Sequence, residues 1–176
     1  MKKEINYLKI AAYSSVFLAL IFISFFFSFG FIGDIIRNLI QLILLIPLLI
    51  GILIIAKKNK LTNLKIISVV TVILGILYGL LYILSLIFQN INIATLLLFL
   101  IFAYSLSFVL FGIAILNLKK QFKLIAVLLG IIGIFYAILN ALLSFIPILT
   151  ILLLIFGIIF YILLSILFFR AIKKYK

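Results

Sequence analysis

Polar positions are sparse in this chain, and they fall in clusters that divide it into long apolar runs. Uncharged stretches extend near residues 10–31, 39–56, 66–88, 93–118, 124–146 and 148–169. A helix needs roughly 20 apolar residues to cross the hydrocarbon core of a bilayer, and each stretch is near that length. The second is the shortest. Its 18 residues, at a rise of ~1.5 Å each, make a helix of about 27 Å, enough to cross with little tilt. The runs are continuous Ile, Leu and Phe, whereas a membrane barrel alternates polar and apolar residues in segments of ~10. A secretory signal has only about 7–15 apolar residues before a small-residue cleavage site. The first run is longer, and Ser28-Phe29-Gly30-Phe31 is a poor cleavage site, so this run is expected to stay as a span. The pattern predicts an all-α membrane protein, a single polytopic domain over 1–176 built as a six-transmembrane-helix bundle.

Helix ends are readable in places. Asp34 is placed to cap the second helix, with Arg37 three residues on as its ion-pair partner. Thr62 or Asn63 is placed to cap the third, and Ser144 or the turn around Pro147 to open the sixth. Short polar side chains satisfy free amides at helix starts, and proline suits a first helical position. Pro47 falls inside the second helix, where it removes one backbone bond and favours a kink.

The basic residues orient the bundle. Lys2, Lys3 and Lys9 precede the first span; Lys57, Lys58, Lys60 and Lys65 lie between the second and third. Lys119, Lys120 and Lys123 lie between the fourth and fifth, and Arg170, Lys173, Lys174 and Lys176 follow the sixth. The other three connections hold only Arg37, beside Asp34. Lys and Arg accumulate in cytoplasmic loops, so 14 of the 15 basic residues agree on one topology, with both termini cytoplasmic. The same residues are placed to meet anionic lipid heads, each attraction worth about 1 kcal/mol. The net charge of +13 is therefore accounted for by membrane topology and lipid, and no nucleic acid is expected as a partner.

The chain divides into three successive helical hairpins, each starting and ending on the inside. The second and third align at an offset of 58: Lys65 falls on Lys123, Gly75 on Gly133, Tyr78 on Tyr136 and Leu84 on Leu142. Units of one orientation make a parallel repeat, an arrangement that occurs in transporters.

Composition removes whole classes of chemistry. The chain is 70% apolar and 10% charged, with no Cys and no His, so thiol catalysis, imidazole proton shuttles and the usual zinc ligands are absent. The acidic inventory is Glu4 and Asp34, both outside the apolar runs. Ion pumps and proton-coupled carriers keep an ionisable group within the membrane. Gly30-Phe31-Ile32-Gly33-Asp34 does not match the Gly-x-Gly-Asp signature of two-aspartate intramembrane proteases, and no second Asp exists. We expect no enzyme, no catalytic residue, no metal and no cofactor.

What remains is a polar stripe. Ser68, Thr71, Gly75, Tyr78, Tyr82 and Ser85 recur at spacings of three and four, which places them on one helix face. The fifth span repeats it as Gly133, Tyr136 and Asn140, with Ser144 one turn on; the sixth holds Gly157, Tyr161 and Ser165. Tyr104, Ser105 and Ser107 form a polar cluster on the fourth. In lipid, small residues let helices approach and Ser, Thr and Asn bond across the contact, so one reading is a packing face. The other is a pocket between the third, fifth and sixth spans in which Tyr78, Tyr82, Tyr136, Asn140 and Tyr161 hold a neutral or lipophilic solute. A transport component of this kind would need a protein partner for energy. The alternative is a structural or accessory membrane subunit that acts through helix contacts, with another protein or as a homo-oligomer.

In size, six spans and inward termini the chain resembles the substrate-binding components of energy-coupling-factor vitamin transporters. The resemblance is one of architecture, and it implies a binding component that works with an energising partner. The polar residues expected around a water-soluble vitamin are sparse here.

Overall fold

The computed structural model describes residues 2–27, 30–88, 91–143 and 146–176. Among these the chain forms seven α-helices, one short 3-10 turn and no strand. They are α1 (Lys2–Ser24), α2 (Gly30–Lys58), α3 (Thr62–Phe88), α4 (Ile91–Leu116), the short α5 (Lys119–Phe122), α6 (Leu124–Leu142) and α7 (Thr150–Tyr175). Six of them are long and apolar enough to cross a membrane. Ser144, a candidate to open the sixth span, lies outside the described residues.

Boundaries differ from the hydropathy reading where a turn is itself apolar. The run 10–31 is not one helix. α1 ends at Ser24, and Phe25, Phe26 and Phe27 close tight turns onto Phe22, Ile23 and Ser24. α2 then begins at Gly30, whose φ of +72° is one that glycine adopts at little cost. The second helix, expected to be the shortest, is consequently the longest, with 29 residues. Asp34 does not cap it. It sits in the second turn of α2, paired with Arg37. α2 continues through Pro47 as one helix. Its C-terminus closes without glycine: Lys60 takes φ +56°, Leu61 N–H donates to the Ala56 carbonyl at 2.9 Å and Lys60 N–H to that of Lys57 at 3.2 Å. This pair of bonds satisfies carbonyls that the helix end would otherwise leave free.

The six long helices form a closed ring. Each packs against its neighbours in chain order, and α1 closes the circle against α7. Packing between α4 and α6, which belong to different hairpins of the sequence reading, is as extensive as packing within a hairpin. The lysine-rich end of the ring is filled by side chains. Leu8, Ile55, Leu64, Ile115, Leu129 and Phe168 are each buried there, and Gly51 lets α2 come close enough that a Cβ at its position would lie 2.7 Å from the Phe168 ring. Leu118 and Phe122 anchor the α4–α6 connection into the same core. Polar contacts tie the ends together: Lys58 to Glu4 at 3.1 Å, and Asn59 Nδ2 to the Tyr175 hydroxyl at 2.7 Å.

Candidate functional site

The opposite half of the ring is not filled. A cavity of about 290 Å³ lies there. Its wall takes the end of α1 and the turn after it (Phe22, Phe25), the first half of α2 (Asn38, Gln41, Leu42, Leu45) and the C-terminal half of α3 (Gly75, Tyr78, Gly79, Tyr82). Tyr104 of α4, Tyr136, Asn140 and Leu143 of α6 and Thr150, Leu153 and Leu154 of α7 complete it. Every long helix contributes to it. The described lining has no charged side chain.

The aromatic rings of the wall are locked to one another. Tyr78 stacks on Tyr104, centroids 6.1 Å apart and planes at 5°. Tyr82 leans on Tyr78 at 6.4 Å, and Tyr104 meets Phe108 edge-on at 5.6 Å. Phe108 continues the chain to Tyr136 at 5.3 Å and to Phe160 at 5.0 Å. Offset and edge-to-face pairs of this kind contribute about 0.5–1.5 kcal/mol each beyond their burial, so the wall is preformed and rigid.

Polar groups of the wall, and of the same helices away from it, divide into those already engaged and those that are not. Asn140 Nδ2 donates to Ser105 Oγ at 3.0 Å, joining α6 to α4. Thr71 Oγ1 donates to the Ser107 carbonyl at 3.2 Å, joining α3 to α4. Asn38 Nδ2 donates to the Asp34 carbonyl at 2.7 Å. Ser68, Ser85 and Ser107 donate to carbonyls of their own helices. Among the described residues no hydrogen bond engages the hydroxyls of Tyr78, Tyr82, Tyr104 or Tyr136. These hydroxyls are reached from the cavity; among the described residues the one buried side-chain nitrogen or oxygen without a hydrogen-bond partner is Arg37 Nε.

Above this wall lies the ion pair of Asp34 and Arg37. The guanidinium rests on the Phe25 ring, 3.8 Å from its centroid, and donates to the Ser24 carbonyl at 3.1 Å, at the C-terminal end of α1. A cation at that end is favoured by the helix dipole. Arg37 is thereby the clamp between α1 and α2 beside the cavity.

Of the five residues proposed from sequence, Tyr78, Tyr82, Tyr136 and Asn140 are brought to one cavity. Tyr161 is not. It is buried behind the wall, 5.3 Å from Phe22 and 5.4 Å from Phe160. Tyr104 joins the wall from the α4 polar cluster. Phe22 and Phe25, and Asn38 and Gln41, each stand at i, i+3, the spacing of one helix face, but they lie on the first two spans, outside the stripe read from the third, fifth and sixth. The small residues of the stripe face inward. A Cβ at Gly75 would lie 3.1 Å from the Tyr104 ring, one at Gly133 3.2 Å from Phe160, and one at Gly130 2.8 Å from the Gly112 carbonyl. They are used in packing within this chain and present no outward face to a partner.

No family model matches this chain, and neither a curated protein nor a solved structure shows significant similarity to it. The class that the fold defines is an all-helical protein of six long apolar helices with an internal, uncharged, tyrosine-lined cavity.

Proposed function

We propose that this chain is a multi-pass membrane protein that binds a neutral or lipophilic solute in the tyrosine-lined cavity, as a small binding or transport component. Membrane embedding is supported by the outer surface. Ile43, Phe99, Leu106, Ile113 and Ile151 are all exposed, and a soluble monomer rarely carries so much contiguous apolar surface. The clustering of lysines at one end supports cytoplasmic termini, a topology in which the cavity would lie in the outward half of the bilayer.

The observation that carries the binding assignment is the set of four tyrosines, whose hydroxyls make no hydrogen bond among the described residues, around one cavity whose described lining is uncharged. Pockets for small molecules are mostly apolar with a few placed polar groups, typically within ~300–1,000 Å³, and 290 Å³ is at the small end of that range. A compact molecule with a ring or short chain and one or two hydrogen-bonding groups fits this chemistry. An ion does not, since no opposite charge awaits it. The described lining also offers no carboxylate to couple transport to protons, so energy would come from a partner protein.

Native mass spectrometry of the protein extracted gently from its own membrane tests this reading. A small molecule retained by the natural chain, and retained less by Asn140→Leu and by Tyr78→Phe, is the expected result. A stoichiometric protein partner with no small molecule would instead establish an accessory subunit and overturn it.

A further inference from the structure

At the lysine-rich end, a second concavity has a different character. A cleft of about 420 Å³ lies between α5 and the last turns of α7, lined by Gln121, Phe122, Lys123, Arg170, Lys173 and Lys174. Four of its six lining residues are cations and none is an acid. Its floor is the buried Phe122. Lys174 is held in place by donating to Gln121 Oε1 and by lying 5.3 Å over the Phe122 ring. Among the described residues the two ion pairs are Arg37–Asp34 and Lys58–Glu4, so no carboxylate neutralises Lys123, Arg170 or Lys173. The lysines at the α2–α3 connection differ. There Lys57, Lys60 and Lys65 share their cleft with Glu4.

Two features specify the occupant. The chain uses 13 Lys against two Arg. One Arg is consumed by Asp34; the other stands in this cleft, where a guanidinium can grip phosphate oxygens through two parallel bonds. The outward stripe of α7 also changes character within one turn. Ile166 lies four residues before Arg170 and Phe169 four before Lys173, and both apolar side chains are exposed. On α6, Leu124 and Leu128 extend the exposed apolar track from Lys123. Cations thus stand directly at the end of an apolar path, the layout that an amphiphile with an anionic head requires.

We propose that this cleft is a discrete site for one anionic phospholipid, with Arg170 and Lys173 on its phosphate and its acyl chains along the exposed faces of α6 and α7. The proposal rests on the membrane reading above. Alkaline carbonate extraction tests that reading by itself: release of the chain refutes the embedding, whereas a resistant chain leaves the cleft to be judged on its own.

The test titrates the full chain in detergent with phosphatidylglycerol, phosphatidylcholine or inorganic phosphate and counts retained ligands by native mass spectrometry. One phosphatidylglycerol should be retained in preference to phosphatidylcholine. Arg170→Gln/Lys173→Gln should weaken it by about thirtyfold, while Lys57→Gln/Lys65→Gln, which removes the same charge elsewhere, should leave it unchanged. Equal weakening by the two double variants would show diffuse attraction and overturn the proposal, as would equal retention of phosphatidylcholine. Displacement of the lipid by millimolar inorganic phosphate would assign the cleft to free phosphate and overturn it as well. Both altered residues are exposed, and unchanged thermal unfolding of the variants confirms that the readout is binding.

Discussion

Tyr78 lies parallel to Tyr104, with centroids 6.1 Å apart and planes at 5°, and the glycine three residues before Tyr78 leaves room for that same ring. The next hairpin repeats the relationship. Tyr136 stacks on Phe160 at 6.3 Å and 18°, and Gly133 would meet the same Phe160 ring. In both hairpins a Gly-x-x-Tyr on the outgoing helix cradles an aromatic of the returning one. Glycine brings the two helices close, and the tyrosine face then finds a partner at stacking distance. This common geometry gives the 58-residue repeat a physical content that apolar sequence similarity alone does not carry. The returning rings are two residues out of register with that offset, since Tyr104 would map to Ile162. The units are therefore alike in their contact and not in every position.

Separating ring from hydroxyl is the first consequence. Tyr78→Phe keeps the stack on Tyr104 and removes one unengaged hydroxyl. Stability should stay within about 0.5 kcal/mol of the natural chain, while solute affinity should fall about three- to tenfold, the worth of one hydrogen bond. Thermal unfolding and retention of the co-purified solute check the two halves. Unchanged affinity would remove Tyr78 from the binding wall.

Asn140 bridges to Ser105 across α6 and α4. Bonds of this kind between helices in lipid average about 0.6 kcal/mol, with a maximum near ~1.7. A double-mutant cycle with Asn140→Leu and Ser105→Ala should return a coupling energy in that range. A coupling of zero would mean that the amide serves the cavity and not the helix contact.

Gly112 and Gly130 mark the closest backbone approach of α4 to α6, since a Cβ on either would lie 2.8 Å from the carbonyl of the other. Gly112→Ala should destabilise the bundle by about 1–3 kcal/mol, because neither backbone can give way. Gly133→Ala should cost less, because it meets only the edge of the Phe160 ring at 3.2 Å. Unfolding of the two variants in mixed micelles compares them directly, and the reverse order would contradict the packing described here.

The Arg37 side chain is only 11% exposed and that of Asp34 37%. Asp34→Asn leaves the guanidinium without a counterion among apolar neighbours and should cost about 1–2 kcal/mol, less than the ~3–5 of a fully buried pair. Arg37→Gln combined with Asp34→Asn should restore part of that loss, since the stranded charge is gone. A double variant less stable than Asp34→Asn would show that the clamp on the Ser24 carbonyl outweighs the ion pair.

The proposed topology has its own check. A reporter fused after Lys58 or Lys120 should read cytoplasmic, and one inserted near residue 90 should read external. The opposite pattern would invert the bundle and move the cavity to the cytoplasmic half.

The presence of six long apolar helices was determined by the sequence alone. Apolar runs near bilayer length and lysines between alternate runs are one-dimensional signals, and they need no tertiary contact to be read. The grouping of Tyr78 with Tyr82 was equally legible, because residues on one helix face are related by helical spacing. Helix ends were legible only where polar residues made the turn. The Phe25-Phe26-Phe27 turn escaped because aromatic residues form it, and hydropathy registers polarity and not backbone direction. Only the tertiary structure decided which faces meet. Closure of α1 against α7 brings Phe22 and Phe25 to the cavity and walls off Tyr161 behind Phe22. The packing of α2 adds Asn38 and Gln41. The packing of α6 against α7 sets Arg170 and Lys173 beside Lys123, some fifty residues away in the chain. Residues on different helices become neighbours through ring closure and the packing of particular side chains, and no periodicity along a single strand of sequence encodes that.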